Sequence, residues 1–93
     1  MNWTDATTYS RQQPGQPKQE QTAWEINAGS VRIWVSNSHQ YFPGEWVYVC
    51  RNVGVNDAKA LNLKNTFPPE LAQKRAILWV RARLEKMLNS LPK

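Results

Sequence analysis

Apolar and polar positions alternate in two stretches in the middle of the chain. In "SVRIWVS" the apolar side chains of Val31, Ile33 and Val35 point to one side, and the residues between them point to the other. The stretch "EWVYVCR", residues 45–51, repeats this period of two and is also rich in β-branched and aromatic residues. Both stretches are therefore predicted to be strands of a half-buried sheet.

Two further segments extend this pattern. "AWEINA", residues 23–28, precedes the turn residues Gly29 and Ser30 and is predicted to be an additional strand. "AKALNLK" alternates through Leu61 and Leu63 and is a further strand candidate. The order of these segments predicts an antiparallel meander of three or four strands.

The last part of the chain has a helical period instead. "PPELAQKRAILWVRARLEKMLNSL" has prolines where a first helical turn tolerates them, and no Gly or Pro interrupts it. One apolar face is predicted to cover the sheet, formed by Ile77, Val80, Leu84, Leu88 and Leu91, with Ala76 and Met87 beside them. The predicted fold class is α+β, an antiparallel three- or four-stranded meander packed against one long C-terminal helix.

The start of the chain has a different composition. "SRQQPGQPKQEQT" lacks any apolar residue that could be buried, so residues 1–23 are predicted to be a flexible polar tail and residues 24–93 a single α+β domain. Trp3 and Tyr9 are the aromatic exceptions in this tail. They are either surface aromatics or part of a segment that orders on a partner.

Composition narrows the class of protein. The 93-residue chain has one cysteine and one histidine, which excludes an internal disulfide and gives no zinc-ligand spacing. No signal pattern is visible, and no apolar run approaches the roughly 18 residues needed to span a bilayer. We therefore expect a cytoplasmic protein without a membrane partner.

The histidine and the cysteine share the stretch "WVSNSHQYFPGEWVYVCR", which suggests a Cys50 nucleophile with His39 as its base. A chain reversal around residues 42–45 would place His39 opposite residues 46–48, roughly 7 to 13 Å from Cys50. No acidic residue is placed to orient the imidazole, and no phosphate loop or nucleophile-elbow motif occurs. We therefore expect a hairpin, no enzymatic activity, no cofactor and no bound metal.

The formal net charge of +5 is concentrated in the C-terminal segment. Basic side chains interleaved with an aromatic ring are typical of surfaces that bind phosphates and exposed bases. The simpler alternative is a solvated helix face. The first hypothesis is therefore nucleic-acid binding through the helix positions Arg75, Trp79, Arg83 and Lys86, supplemented by Arg32 and Arg51 with Trp34 in the sheet.

The helix also carries a second apolar stripe, opposite the predicted core face. It consists of Leu71, Leu78, Trp79 and Ala82. Either the tail or the 53–66 loop covers this stripe, or it is a contact surface for another protein. The alternative hypothesis is therefore a protein-interaction module that docks on a host protein or on a second copy of itself.

The layout of "VRIWV", "GEWVYV" and "AQKRAILWVRARLEKML" resembles the arm-binding N-terminal domains of phage-type integrases. Those domains set a three-stranded sheet in the DNA major groove, and only Arg32 and Arg51 are available for that role here. The size and the polar head also resemble small phage or prophage accessory proteins, many of which inhibit host machinery. These resemblances imply nucleic-acid binding or a phage-encoded inhibitor of a host protein.

Overall fold

Five strands follow one another in the sheet in chain order, and each is antiparallel to its neighbours. The computed structural model describes residues 2–7 and 20–92. The predicted α+β layout is confirmed, with one strand more than expected. The elements are β1 (Thr4–Asp5), β2 (Ala23–Ala28), β3 (Val31–Ser36), β4 (Glu45–Cys50), β5 (Val55–Lys64) and α1 (Pro69–Asn89), with a 3-10 turn at Arg51–Val53.

Strand β1 lies in the segment that was expected to be a flexible tail, residues 1–23. Thr4 pairs with Glu25 of β2, and the amide of Ala6 donates to the carbonyl of Ala23 at 3.0 Å. This short strand satisfies backbone groups along an edge of β2 that would otherwise be unpaired. Residues 4 and 5 therefore belong to the sheet, although the composition of this segment is polar.

Trp3, the residue before β1, also contacts the domain. Its half-buried ring packs against the hydrophobic core. It is therefore not the freely exposed tail aromatic that composition suggested. Met1 and residues 8–19 of the predicted tail, including Tyr9, lie outside the described residues.

The loop between β3 and β4 reverses the chain at Pro43 and Gly44. The amide of Glu45 donates to the carbonyl of Phe42 at 3.2 Å, and Gly44 has a φ of +79°. A positive φ at the third residue of a four-residue turn is the geometry of the type II turn, which favours glycine there. The stretch with the histidine and the cysteine is therefore a hairpin, as predicted.

The core lies between one face of the sheet and α1. The helix approaches closely because the residues it buries are small, namely Ala72, Ala76 and Val80. On the sheet side, Trp46 near the start of β4 is fully buried and donates from Nε1 to the carbonyl of Phe67 at 3.1 Å. This hydrogen bond ties β4 to the segment that leads into α1.

The predicted core face of α1 is correct in its first half and wrong in its second. Ala76 and Val80 are buried and Ile77 is partly buried, in agreement with the prediction. Four residues expected in the core are exposed instead: Leu84 at 37%, Met87 at 47%, Leu88 at 66% and Leu91 at 63%. The reason is that periodicity reports which residues share a face of a helix, and not how far the sheet beneath extends.

Candidate functional site

Arg75 was predicted to face a nucleic acid, but it contacts the sheet. Its Nη1 donates to the carbonyl oxygens of Leu61 at 3.1 Å and Asn62 at 3.2 Å. Asn62 has a φ of +58° and lies where the pairing between β4 and β5 is irregular. The guanidinium therefore satisfies carbonyl groups at an irregularity of β5 and fastens the helix to that strand.

Arg83 makes an equivalent contact two turns later. Its Nε donates to the carbonyl oxygen of Val53 at 3.0 Å, at the 3-10 turn between β4 and β5. The guanidinium also lies close to Gly54, where an added Cβ would be 3.6 Å from Nη2. Both Arg75 and Arg83 are half-buried, and of the predicted basic residues on the helix only Lys86 is exposed.

Trp79, placed in both predicted surfaces of the helix, packs against the core. Its ring meets Tyr48 edge to face, with centroids 5.8 Å apart and planes at 82°. Burial raises the pKa of Tyr48, and the positive charge of Arg83 partly opposes this effect. Trp79 is therefore mainly a packing residue and not an exposed anchor for a base or a partner.

The second apolar stripe is otherwise at the surface. Leu71 is 44% and Leu78 65% exposed, and Ala82 is also exposed. Three of the four predicted partner-binding residues are therefore accessible, but the two leucines are seven residues apart. They are isolated apolar side chains on the outer side of the helix.

A denser apolar surface lies at the end of the helix and was missed in the sequence because its residues were assigned to the core. We call it the end patch, and it consists of Leu84, Met87, Leu88 and Leu91. Length could have revealed it: a helix of 21 residues is about 31 Å long, and strands of six residues span only about 20 Å. An apolar stripe that runs the whole helix can therefore extend past the sheet.

On the face of the sheet away from α1, a groove of about 750 Å³ contains the other predicted basic residues. Arg32 and Arg51 are exposed beside it, and the half-buried Trp34 and His39 also line it. The Nε of Arg32 donates to Oδ1 of Asn27 at 2.9 Å. The structure thus brings Arg32, Trp34 and Arg51 to one groove, separate from the helix residues.

The charge of this groove is balanced. Glu25 and Asp57 line it together with the two arginines, and Oε1 of Glu25 lies 3.7 Å from Nε of Arg32. The side-chain amide of Asn52 is already hydrogen-bonded within the chain. Its Oδ1 accepts from the backbone N–H of Arg32, and its Nδ2 donates to the carbonyl oxygen of Ser30. The groove is polar with an aromatic side chain, and it lacks the basic excess of a phosphate-binding surface.

His39 and Cys50 lie on opposite sides of the sheet. Cys50 is 1% exposed and belongs to the core under α1, while His39 lines the groove beside Trp34. The Nδ1 of His39 accepts from the amide of Tyr41 at 3.2 Å. The sheet therefore separates the two groups that a Cys–His pair would need to bring together.

No family model matches the chain, and no curated protein or solved structure shows significant similarity to it. Across residues 2–7 and 20–92, no helix has the length and apolar character needed to cross a membrane.

Proposed function

We propose that the chain is a non-enzymatic protein-binding module that docks through apolar side chains exposed on α1. The observation that supports this most strongly is their concentration on one element. Large exposed apolar groups are characteristic of interaction surfaces when they cluster. Six of them lie on α1 or directly after it: Leu71, Leu78, Leu84, Met87, Leu88 and Leu91.

The end patch is the main docking surface in this proposal. Its four side chains fall within eight residues, whereas Leu71 and Leu78 are separated by two turns. Removing a leucine side chain fully from water contributes about 1.5 to 3 kcal/mol, so a contiguous group can offset the cost of association where a single side chain cannot. A phage-encoded inhibitor of a host protein would use the same kind of surface.

Nucleic-acid binding is the second candidate, and the groove on the open face of the sheet favours it. Trp34 offers an aromatic ring on which a base could stack, and Arg32 and Arg51 lie beside it. This candidate ranks second because Arg75 and Arg83 bond to carbonyls of the chain itself. The groove also carries as many acidic as basic residues.

A matched pair of substitutions tests the proposal. Leu88 and Leu78 are 66% and 65% exposed, so Leu88→Glu and Leu78→Glu remove little buried surface, and both variants should stay folded. The tagged full-length chain would be isolated from the cells that produce it naturally, after treatment with a lysine-reactive cross-linker. This cross-linker suits the end patch because Lys86 is exposed next to Met87 and Leu88. Wild type and Leu78→Glu should capture a bound protein in stoichiometric amount, either another protein or a second copy of the chain. Leu88→Glu should lose this bound protein.

Two other outcomes would contradict docking through the end patch. Loss with Leu78→Glu alone would move the docking surface to the outer stripe of the helix. If wild type retains no protein but binds a labelled single-stranded oligonucleotide, and Trp34→Ala or Arg51→Glu abolishes that binding, the second candidate replaces the first.

A further inference from the structure

The spacing within the end patch has a symmetry of its own. Leu84, Met87, Leu88 and Leu91 follow one another at intervals of three, one and three residues, which reads the same in both chain directions. Residues three and four apart lie on one side of a helix, and Leu91 continues the turn because its amide donates to the carbonyl of Leu88 at 3.2 Å. A two-fold interface requires such a self-complementary surface, since the same residues contribute from both sides.

We propose that the end patch pairs with the end patch of a second copy of the chain, with the two α1 helices antiparallel. The two-fold axis then passes between Met87 and Leu88. In this register Leu84 faces Leu91 of the second copy, and Met87 faces Leu88 of the second copy. This inference rests on the proposed function and names the partner of the docking surface.

The position of the patch leaves room for a second helix. Val80 is the last residue of α1 that is buried, and Arg83 makes the last side-chain hydrogen bond from the helix to the sheet domain. Every described residue from Leu84 onward is exposed. An antiparallel pair also places the two sheets at opposite ends of the overlap, where they do not compete for space.

The size of the patch sets the strength of the pairing. Stable interfaces usually bury about 1,600 Å² in total, and four side chains from each copy supply less than that. The dimer is therefore reversible and depends on protein concentration. Each substitution occurs twice in a symmetric pair, so the loss of one leucine should raise the dimer Kd by at least about tenfold.

Cysteine cross-linking tests the register directly, using full-length Leu84→Cys and Leu91→Cys chains. Native Cys50 is buried and can remain in place. In the antiparallel pair, position 84 lies about 10.5 Å along the axis from position 84 of the second copy but level with position 91. Since a disulfide needs Cβ atoms roughly 4 Å apart, a mixture of the two variants should cross-link on mild oxidation, and each variant alone should not.

Sedimentation over a range of concentrations provides the second measurement. Wild type should show a monomer–dimer equilibrium, Leu88→Glu should weaken it at least about tenfold, and Leu78→Glu should leave it unchanged. Cross-linking of Leu84→Cys with itself, with no additional 84–91 product in the mixture, would replace the antiparallel register with a parallel one and overturn the inference.

A wild type that remains monomeric at every concentration, with a mixture that cross-links no faster than Leu78→Cys, would also overturn it. If another protein is then bound and lost with Leu88→Glu, the proposed function survives without this inference. If no protein is bound at all, both are wrong.

Discussion

Arg83 donates a hydrogen bond from Nε to the carbonyl oxygen of Val53 at 3.0 Å, linking two residues that are 30 positions apart in the chain. Val53 is 3% exposed and ends the 3-10 turn between β4 and β5. The carbonyl has its partner on the helix, so the arginine contributes to the fold. A charged side chain of the kind that binds ligands can thus be hydrogen-bonded to the backbone of its own chain.

Arg83→Met should lower the free energy of unfolding by about 1 to 3 kcal/mol, because it keeps the aliphatic stem but leaves the carbonyl of Val53 without its partner. Urea denaturation followed by circular dichroism measures the change. The exposed Arg81 on the same helix supplies the control, and Arg81→Met should change stability by less than about 0.5 kcal/mol. Equal effects of the two substitutions would contradict a structural role for Arg83.

The main effect of Trp79→Ala should be a lower free energy of unfolding, and not a direct loss of partner binding. The ring packs edge to face on Tyr48, and truncating a large core aromatic typically costs about 3 to 5 kcal/mol. Because Trp79 is only partly buried, we expect about 2 to 3 kcal/mol in a denaturant titration. Leu78→Ala, one position earlier and largely exposed, should change the same midpoint very little. A fully stable Trp79→Ala protein that loses binding would instead restore Trp79 as a docking residue.

Tyr48 should make the protein less stable in alkali. Burial raises the pKa of Tyr48 above the ordinary value of 10.0, so the folded state keeps the phenolic proton to a higher pH than the unfolded chain does. Stability contributed by this group is complete below pH 10 and decreases as the pH rises above it. Unfolding free energies measured from pH 8 to 11 should therefore fall less steeply for Tyr48→Phe than for wild type. Tyr41→Phe, altered at a residue that is 76% exposed, should follow the wild-type curve.

Substitutions of Gly44 should be limited by the positive φ of its backbone and not by contacts of the added side chain. An added Cβ would meet no atom within 4 Å, but the φ of +79° is unfavourable for residues with a side chain. Gly44→Ala should therefore destabilise the hairpin by about 1 kcal/mol in thermal or urea unfolding. Gly44→Asn should cost less, because asparagine tolerates positive φ better than alanine does. If alanine is tolerated as well as asparagine, the turn geometry is not the constraint.

Local patterns in the sequence determined the secondary structure of the domain. The period of two around Ile33 and Val47, the Pro43-Gly44 turn and the change to a helical period after Pro68 predicted the hairpin, the meander and the helix. These are signals from near neighbours in the chain, and such neighbours set the backbone conformation of a strand, a turn or a helix. The strand Thr4–Asp5 escaped prediction because a two-residue edge strand depends on the partner beside it.

Only the tertiary structure decided which side of α1 meets the sheet and how much of it is covered. The helical wheel gave Leu84 and Val80 the same role, but the sheet covers Val80 and not Leu84. The helical wheel likewise could not show that Arg75 and Arg83 would donate to backbone carbonyls at a bulge and a 3-10 turn, since those acceptors lie 13 to 30 residues away in the chain. Helical spacing is a property of one element, whereas burial and pairing are properties of two elements in contact, so the surface left for a partner becomes visible only once they pack.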